Sequence, residues 1–326
     1  MFFDSLLFSL SVTLPTILML VIGIILRYQN TVDDSFCEVA SKLVFNISLP
    51  AFLFINIVKH PADYGSQLWL ISTGLIGSIV LYLLGEWLAF RYITDRRYRG
   101  IFVQGMFRGN TGILGLALCI NAYGTIATAP GAVYTAFITL LFNILAVITL
   151  TNSLGDGKPS FIKIFKGLAK NPLIIAILLG ILVSKMEIVI PEPLLRTSDY
   201  LAHIALPLAL ICAGANLNFK QLKQLQQTDS TQSVAGKVVL WTSFGRLFIA
   251  PIIMILIGKF VMQLDPMSLG MIFLMSATPL AAAGYSMVRN FGGDSTATAN
   301  LIAITTLGSM FTSSLGLLLL RQIGWI

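Results

Sequence analysis

Charged side chains are scarce in this chain of 326 residues. They make up 11% of the sequence, whereas soluble proteins carry about 25%. Hydrophobic residues make up 56%. A chain so poor in charge cannot cover the surfaces of two or three water-soluble domains. The low charge therefore excludes a soluble globular protein, and the sequence predicts an all-α integral membrane protein.

Cysteine and histidine are also rare, with three copies and two copies. The cysteines show no CxxC spacing and no histidine partner, which argues against a metal site or a redox pair. The apolar stretches contain no HExxH motif, paired-aspartate motif or Ser–His couple. We therefore expect no metal, no cofactor and no catalytic residue, and the chain is not predicted to be an enzyme.

Long apolar stretches recur along the whole chain. A helix of roughly 20 such residues crosses a hydrocarbon core of about 30 Å. The stretches predict ten transmembrane helices, at residues 6–26, 38–58, 68–92, 100–123, 128–150, 171–188, 197–217, 236–260, 267–289 and 295–321.

The net charge of +7 does not indicate a nucleic-acid partner, because lysine and arginine follow the membrane topology. Fourteen of them border the first, third, fifth, seventh and ninth loops, whereas five lie on the other face. The positive-inside rule then places the odd loops in the cytoplasm and both termini outside a plasma (bacterial inner) membrane. The expected surroundings are membrane lipid, and a homodimer is left open.

The two halves of the chain share short patterns. Leu49-Pro50 matches Leu206-Pro207, and Ala127-Thr128-Ala129 matches Ala297-Thr298-Ala299. Because each half contains five spans, the second copy must run upside down, which is an inverted repeat. We therefore divide the chain into a first repeat at 1–151, a cytoplasmic link with an interfacial helix at 152–170, and a second repeat at 171–326.

Two spans contain helix-breaking residues near their middle. The fourth span reads Arg108-Gly109-Asn110-Thr111-Gly112, and the ninth reads Ser276-Ala277-Thr278-Pro279. Backbone is broken at membrane depth only where protein or a wet cavity satisfies the freed polar groups. A matched pair of interrupted spans is therefore the best pointer in a sequence to the binding site of a transporter.

The residues at the breaks predict a site for an anion. Asn110 and Thr111 are good N-caps for a second half-helix, and Thr278 with Pro279 predicts another that runs toward Gly284. In an inverted repeat these half-helices approach the midplane from opposite sides and direct their positive amino-terminal ends at one place. A carboxylate would suit that place.

Three charged residues well inside the spans are candidates for a functional role. Arg108 must face a cavity, a ligand or a partner, and the alternatives are that it snorkels or pairs with Glu86. We place a structural or gating role for Arg246 ahead of substrate contact. Glu86 is the acidic residue well inside a span, so it is the candidate for proton coupling. Backbone carbonyls and hydroxyls at the breaks could still hold a sodium ion.

Several stretches resemble one known family, the auxin efflux carriers, which include microbial permeases for malonate and malate. They are Asn46–Pro50, Arg108–Gly115, Asn171–Ile174, Leu206–Leu208 with Gly214, Ala215 and Leu217, and Asn290–Asp294. The resemblance implies ten helices in two inverted five-helix repeats, a scaffold and a transport domain, and crossed, broken helices four and nine. This fold is similar to that of bile-acid/sodium symporters and sodium–proton antiporters.

The resemblance also implies a role for Asn110. This residue matches the asparagine at the family's helix crossing, and the resemblance implies that it contacts the substrate carboxylate, as in plant members. The second crossing departs from the family, because Thr278-Pro279 stands there without an asparagine.

Together these observations predict a secondary active transporter of a small organic anion, a mono- or dicarboxylate, working by alternating access. Asn110, Thr111 and Thr278 would position the carboxylate, and Arg108 would attract it. The backbone could approach the substrate closely at Gly112, Pro279 and Gly284. The alternatives are a sodium-coupled symporter of the bile-acid-transporter type and a membrane sensor that binds the ligand without moving it.

Overall fold

The computed structural model describes residues 2–59, 64–154, 172–217 and 230–326, which form a bundle of helices. Within these ranges no strand is present beyond a single β-bridge. The helices are α1 (Phe2–Tyr28), α2 (Asp34–Lys59), α3 (Tyr64–Tyr92), α4 (Arg96–Phe107), α5 (a π-helical turn at Thr111–Gly115, then Leu116–Tyr123), α6 (Thr128–Leu154), α7 (Pro172–Lys185), α8 (Glu192–Ala215), α9 (Ser230–Phe244, continuing through Val261), α10 (Pro266–Ser276), α11 (Ala283–Asn290) and α12 (Ser295–Gln322).

Among the described residues, seven helical segments are long and apolar enough to cross a membrane. They belong to α1, α2, α3, α5 together with α6, α8, α9 and α12. The segment Thr111–Leu154 has 44 residues, about 66 Å of helix and twice the hydrocarbon thickness. Gly124, with a φ of 69°, interrupts it, and the parts before and after this glycine pack against each other.

The remaining predicted spans contain shorter helices. Helix α7 has 14 residues, α4 has 12 and α10 has 11, so each is about 16–21 Å long at 1.5 Å per residue. Helices α4 and α10 are short because each stops at one of the two breaks.

The helices pack as two groups. One group contains α1, α2, α7 and α8, and the other contains α3, α4, α5, α6, α9, α10, α11 and α12. Helices α1 and α8 meet through two glycines: a Cβ on Gly23 would lie 2.1 Å from the Ile211 oxygen, and one on Gly214 would lie 2.1 Å from the Leu20 oxygen. Small residues of this kind let two membrane helices approach backbone to backbone. Helix α1 also contacts α5 and α12, and so joins the groups.

Aspartates cap several helices. The carboxylate of Asp294 accepts a hydrogen bond of 2.9 Å from the Ala297 N–H, so Asp294 is the N-cap of α12. Asp95 caps α4 and Asp265 caps α10 in the same way. Arg97 also bonds Asp95 and lowers the pKa of this carboxyl below its ordinary value.

Parts of the predicted link at 152–170 lie outside the described residues, including 161–168, where the interfacial helix is expected. Helix α6 continues to Leu154, so the first three residues assigned to the link are helical. The loop at 218–229 and His60 also lie outside the described residues.

Candidate functional site

Both predicted breaks are present, and they lie against each other. Gly109 and Leu280 form an antiparallel β-bridge. The Asn110 N–H donates to the Pro279 oxygen at 2.9 Å, and the Ala281 N–H donates to the Arg108 oxygen at 3.1 Å. The two interrupted segments therefore satisfy much of each other's freed backbone, as burial in an apolar environment requires.

Helix α12 supports the second break through a side chain. The Leu280 N–H donates to the Thr305 hydroxyl at 3.2 Å, and this hydroxyl donates to the Leu301 oxygen of its own helix at 2.7 Å. Thr305 was not singled out from the sequence, because a threonine that bonds back to its own helix is common in any apolar span.

Arg246 joins the carboxyl-terminal ends of α4 and α10. Its Nε donates to the Thr278 oxygen at 2.8 Å, and its Nη2 donates to the Ser276 oxygen at 2.6 Å. Its Nη1 lies 3.2 Å from the oxygens of both Met106 and Phe107. Nη2 also lies 3.4 Å from the Thr278 hydroxyl. The guanidinium is therefore held almost entirely by main-chain carbonyls.

Arg108 lies at the C-cap of α4, and its side chain extends to α6. Its Nη2 donates to the Asn143 side-chain oxygen at 2.7 Å, and its Nη1 donates to the Phe142 oxygen at 3.2 Å. The alternative pairing with Glu86 is wrong, because Glu86 instead accepts a bond of 2.5 Å from the Thr149 hydroxyl. Arg108 is 3% exposed, so it does not snorkel.

The crossing carries two buried positive charges. Arg108 and Arg246 are 3% and 2% exposed, and neither is ion-paired to a carboxylate within the described part of the chain. Carbonyl and amide oxygens satisfy the donors but do not neutralise the charge. The crossing therefore holds two buried cations without a carboxylate among the described residues, a setting that can accept an anion.

The side chain of Asn110 is available at the start of α5. It is partly exposed, and it makes no hydrogen bond to any residue that the structure describes. The expectation that Asn110 caps α5 is wrong. An N-cap has extended backbone, whereas Asn110 has φ −82° and ψ 61° and α5 opens as a π-helical turn. The amide is therefore free for a ligand.

The expected capping by Thr278 is also wrong. Its hydroxyl donates backwards to the Met275 oxygen at 2.9 Å, and α11 starts only at Ala283. The carbonyl of Thr278 is taken by Arg246. Thr278 therefore completes the end of α10 rather than the beginning of the next half-helix.

A small cavity borders the second break. Its volume is about 10 Å³, close to the minimum that holds one water molecule. Thr278 and Pro279 border it, but Arg108, Asn110, Thr111 and Gly112 do not, so the cavity unites only part of the predicted site. Five hydroxyl-bearing residues from α1, the break and α12 line it: Thr13, Thr16, Thr278, Ser309 and Ser313.

A second, closed cleft contains Gly284 and a polar residue that the sequence analysis missed. Gln104 of α4 is 1% exposed, and neither its Oε1 nor its Nε2 has a partner among the described residues. Thr298 and Leu280 also line this cleft. A lone glutamine in the apolar fourth span was the available signal, because a buried polar group without a partner is costly.

Comparison with known proteins identifies the family. The profile of the family described as "Membrane transport protein", the auxin efflux carrier family, matches residues 8–160 and 157–316. The chain belongs to this family. The resemblance seen in the sequence motifs is thereby confirmed, as is a multi-pass integral membrane protein.

Relatives of this auxin efflux carrier family member are named as transporters. A protein of Rhizobium meliloti (strain 1021) named "Putative malonate transporter" is 25% identical over 291 residues, covering 87% of each chain. The "Uncharacterized transporter YfdV" of Escherichia coli (strain K12) is 24% identical over 322 residues, covering 95% of this chain and 97% of its own. An "Uncharacterized transporter" of Methanothermobacter thermautotrophicus is 24% identical over 221 residues, 66% of this chain and 70% of its own.

Proposed function

We propose that this membrane transporter is a secondary carrier for a small organic anion and that its substrate binds where the two broken helices cross. The observation that carries the proposal is the pair of buried guanidinium groups, Arg108 and Arg246, without a carboxylate partner in the described ranges. A positive charge without a carboxylate partner at membrane depth is costly, even where carbonyl oxygens accept from its donors. A negatively charged solute would relieve that cost while it is bound.

Asn110 supplies the direct contact in this proposal. Its amide, which has no partner among the described residues, lies at the amino-terminal end of α5, where the first N–H groups of a helix lack partners inside the helix. The N–H groups of Thr111 and Gly112 belong to this first turn. An amide donor beside such N–H groups is suited to a carboxylate.

Thr278, Pro279 and Gly284 form the opposite side of the proposed site. Pro279 accepts from the Asn110 backbone, so the second break lies directly beside the asparagine. Thr278 and Pro279 border the hydroxyl-rich cavity, and Gly284 borders the closed cleft with Gln104. Thr278 and Pro279 line the first space, and Leu280 and Gly284 line the second, so the two spaces follow each other along the second break.

We infer that transport uses ten spans in two inverted five-helix repeats. In each half, three unbroken spans would be followed by a broken span and a closing span. The order would be α1, α2, α3, α4–α5 and α6 in the first half, and α7, α8, α9, α10–α11 and α12 in the second. The group α1, α2, α7 and α8 would be the scaffold, and the group with both breaks would move against it. The basic loops support a cytoplasmic position for the link and an external position for both termini.

The substrate class follows from charge and size. A relative is named for malonate, a small dicarboxylate, and the spaces at the crossing are small. We therefore place malonate and similar short mono- and dicarboxylates first. Glu86, which accepts from Thr149, remains the candidate for proton coupling.

The test is uptake of radiolabelled malonate, and of a panel of short carboxylates, into sealed proteoliposomes. Asn110→Ala should lose uptake and retain its thermal unfolding temperature, because the side chain makes no bond within the described protein. Asn56→Ala is the matched control. Among the described residues, the Asn56 side chain bonds only to the Phe52 oxygen of its own helix, so this change should leave uptake intact. Full uptake by Asn110→Ala would remove this residue from the site. Binding without uptake would favour the sensor.

A further inference from the structure

We propose that Arg246 is the resident cation of the crossing and that it occupies the carbonyl cage a coupling sodium ion would need. Its consequence for coupling, that the carrier moves its anion without sodium, rests on the function proposed above. The cage itself is a property of the described protein and does not depend on the identity of the substrate.

The cage is made by the ends of two half-helices. Met106 and Phe107 contribute oxygens from the end of α4, and Ser276 and Thr278 contribute oxygens from the end of α10 and the residues after it. The carboxyl-terminal end of a helix carries roughly half a negative charge. Two such ends that meet at one point make a site for a cation, and interrupted transporter helices use such carbonyls to coordinate sodium.

Sodium does not fit this cage while Arg246 is in place. A hard cation requires several oxygen ligands at short range, and the carbonyls that could provide them already accept from the guanidinium at 2.6–3.2 Å. The nearby hydroxyl of Thr278 donates to the Met275 oxygen and lies 3.4 Å from Nη2 of Arg246. The carbonyl oxygens at the breaks that could have held a sodium ion therefore already accept hydrogen bonds from Arg246.

The surrounding residues leave space for the guanidinium and little more. A Cβ on Gly109 would lie 2.3 Å from Nη2 of Arg246 and 3.0 Å from Cζ. Gly245, the neighbour of Arg246, packs so closely that a Cβ there would lie 2.1 Å from the Met106 sulfur. Arg246 itself lies in a π-helical turn, Gly245–Ile249, inside α9. Such turns often occur at functional sites.

The attachment of this cation to α9 has a direct consequence for coupling. A sodium ion leaves its site in every cycle, whereas a guanidinium tied to α9 stays with both half-helices. Helices α4, α9 and α10 would then move as one body, and a sodium gradient would have no place to act on it. The sodium-coupled symporter considered from the sequence is disfavoured on this ground.

The first experiment measures thermal unfolding of the purified protein in detergent, with sodium chloride, choline chloride or a low millimolar concentration of guanidinium chloride at constant ionic strength. The parent should unfold at the same temperature in sodium and in choline. Arg246→Ser should unfold several degrees lower in choline and should regain stability on addition of guanidinium or sodium, because either cation can enter the emptied cage. A sodium-specific stabilisation of the parent overturns the proposal, as does an Arg246→Ser variant that responds to neither cation.

Arg108→Ser is the matched control. It also removes a buried guanidinium, but the oxygens it exposes are one carbonyl and one amide on α6, so it should gain no response to sodium. An equal response in both variants overturns the proposal. If Arg246→Ser does not fold, Arg246→Lys takes its place. It keeps the positive charge, and its unfolding temperature should be the same in sodium and in choline.

Uptake in proteoliposomes separates this proposal from the proposed function. Malonate uptake by the parent should be the same with sodium and with choline outside, and uptake that requires sodium overturns the resident-cation proposal while leaving anion transport standing. Absence of uptake of any carboxylate under all conditions would overturn the proposed function, whereas the unfolding experiments would still report on the cage.

Discussion

Replacing Gly109 with alanine tests how tightly the crossing is built. The added Cβ would lie 2.3 Å from Nη2 of Arg246, 2.6 Å from the Thr278 hydroxyl and 3.0 Å from Cζ of Arg246. Gly109 does not have a positive φ, so alanine fits the backbone and the cost is steric. Overpacking costs about 1–3 kcal/mol, and a hydrogen bond lost from a charged group adds about 1.5–3 kcal/mol. We expect Gly109→Ala to lose roughly 3 kcal/mol or more of stability.

The assay is thermal unfolding together with malonate uptake, and Gly85→Ala is the control. A Cβ on Gly85 would meet Met106 and Val103 at 3.5 Å, an ordinary contact distance. Because alanine is favoured over glycine inside a helix by about 1 kcal/mol, Gly85→Ala should unfold at the parent temperature or above it. The reasoning is refuted if Gly109→Ala unfolds with the parent and transports at the parent rate.

Three further changes give separate outcomes. Gln104→Leu should raise the unfolding temperature, because it removes two buried polar atoms that have no partner among the described residues and that cost about 1–3 kcal/mol. It should also raise the KM for uptake. Unchanged kinetics would show that Gln104 has only a structural role. Asp294→Ala should lower stability by about 1 kcal/mol through loss of the α12 cap, whereas Asp294→Asn should retain most of it in the same unfolding assay. Glu86→Gln should abolish the response of uptake to an imposed pH gradient, and a preserved response would exclude Glu86 from proton coupling.

The positions of the breaks could be predicted because Gly109 and Gly112 flank two polar residues, and Pro279 follows a threonine, near the middle of apolar spans. The pairing of Gly109 with Leu280 could not be predicted in this way. It depends on the register of two segments about 170 residues apart, and that register is set by backbone atoms present at every position.

The hydrogen-bond partners of the two arginines could not be predicted from the sequence for a related reason. Sequence reasoning pairs a cation with a carboxylate, which led from Arg108 to Glu86. The structure instead satisfies Arg108 with Asn143 and a carbonyl, and Arg246 almost entirely with carbonyls. Carbonyl acceptors leave no signature in a sequence. The capping errors at Asn110 and Thr278 arose because residue type was read without the local dihedral angles, which depend on tertiary packing.

The bridge between Gly109 and Leu280 has a consequence for how this carrier can change. Its hydrogen bonds belong to the peptide groups of Arg108, Asn110, Pro279 and Ala281, so the crossing is held by atoms that most substitutions do not alter. The side chains beside it can then be exchanged to suit a different solute while the interrupted helices keep their register. Selectivity can therefore change during evolution without loss of the backbone contacts that hold the crossing together.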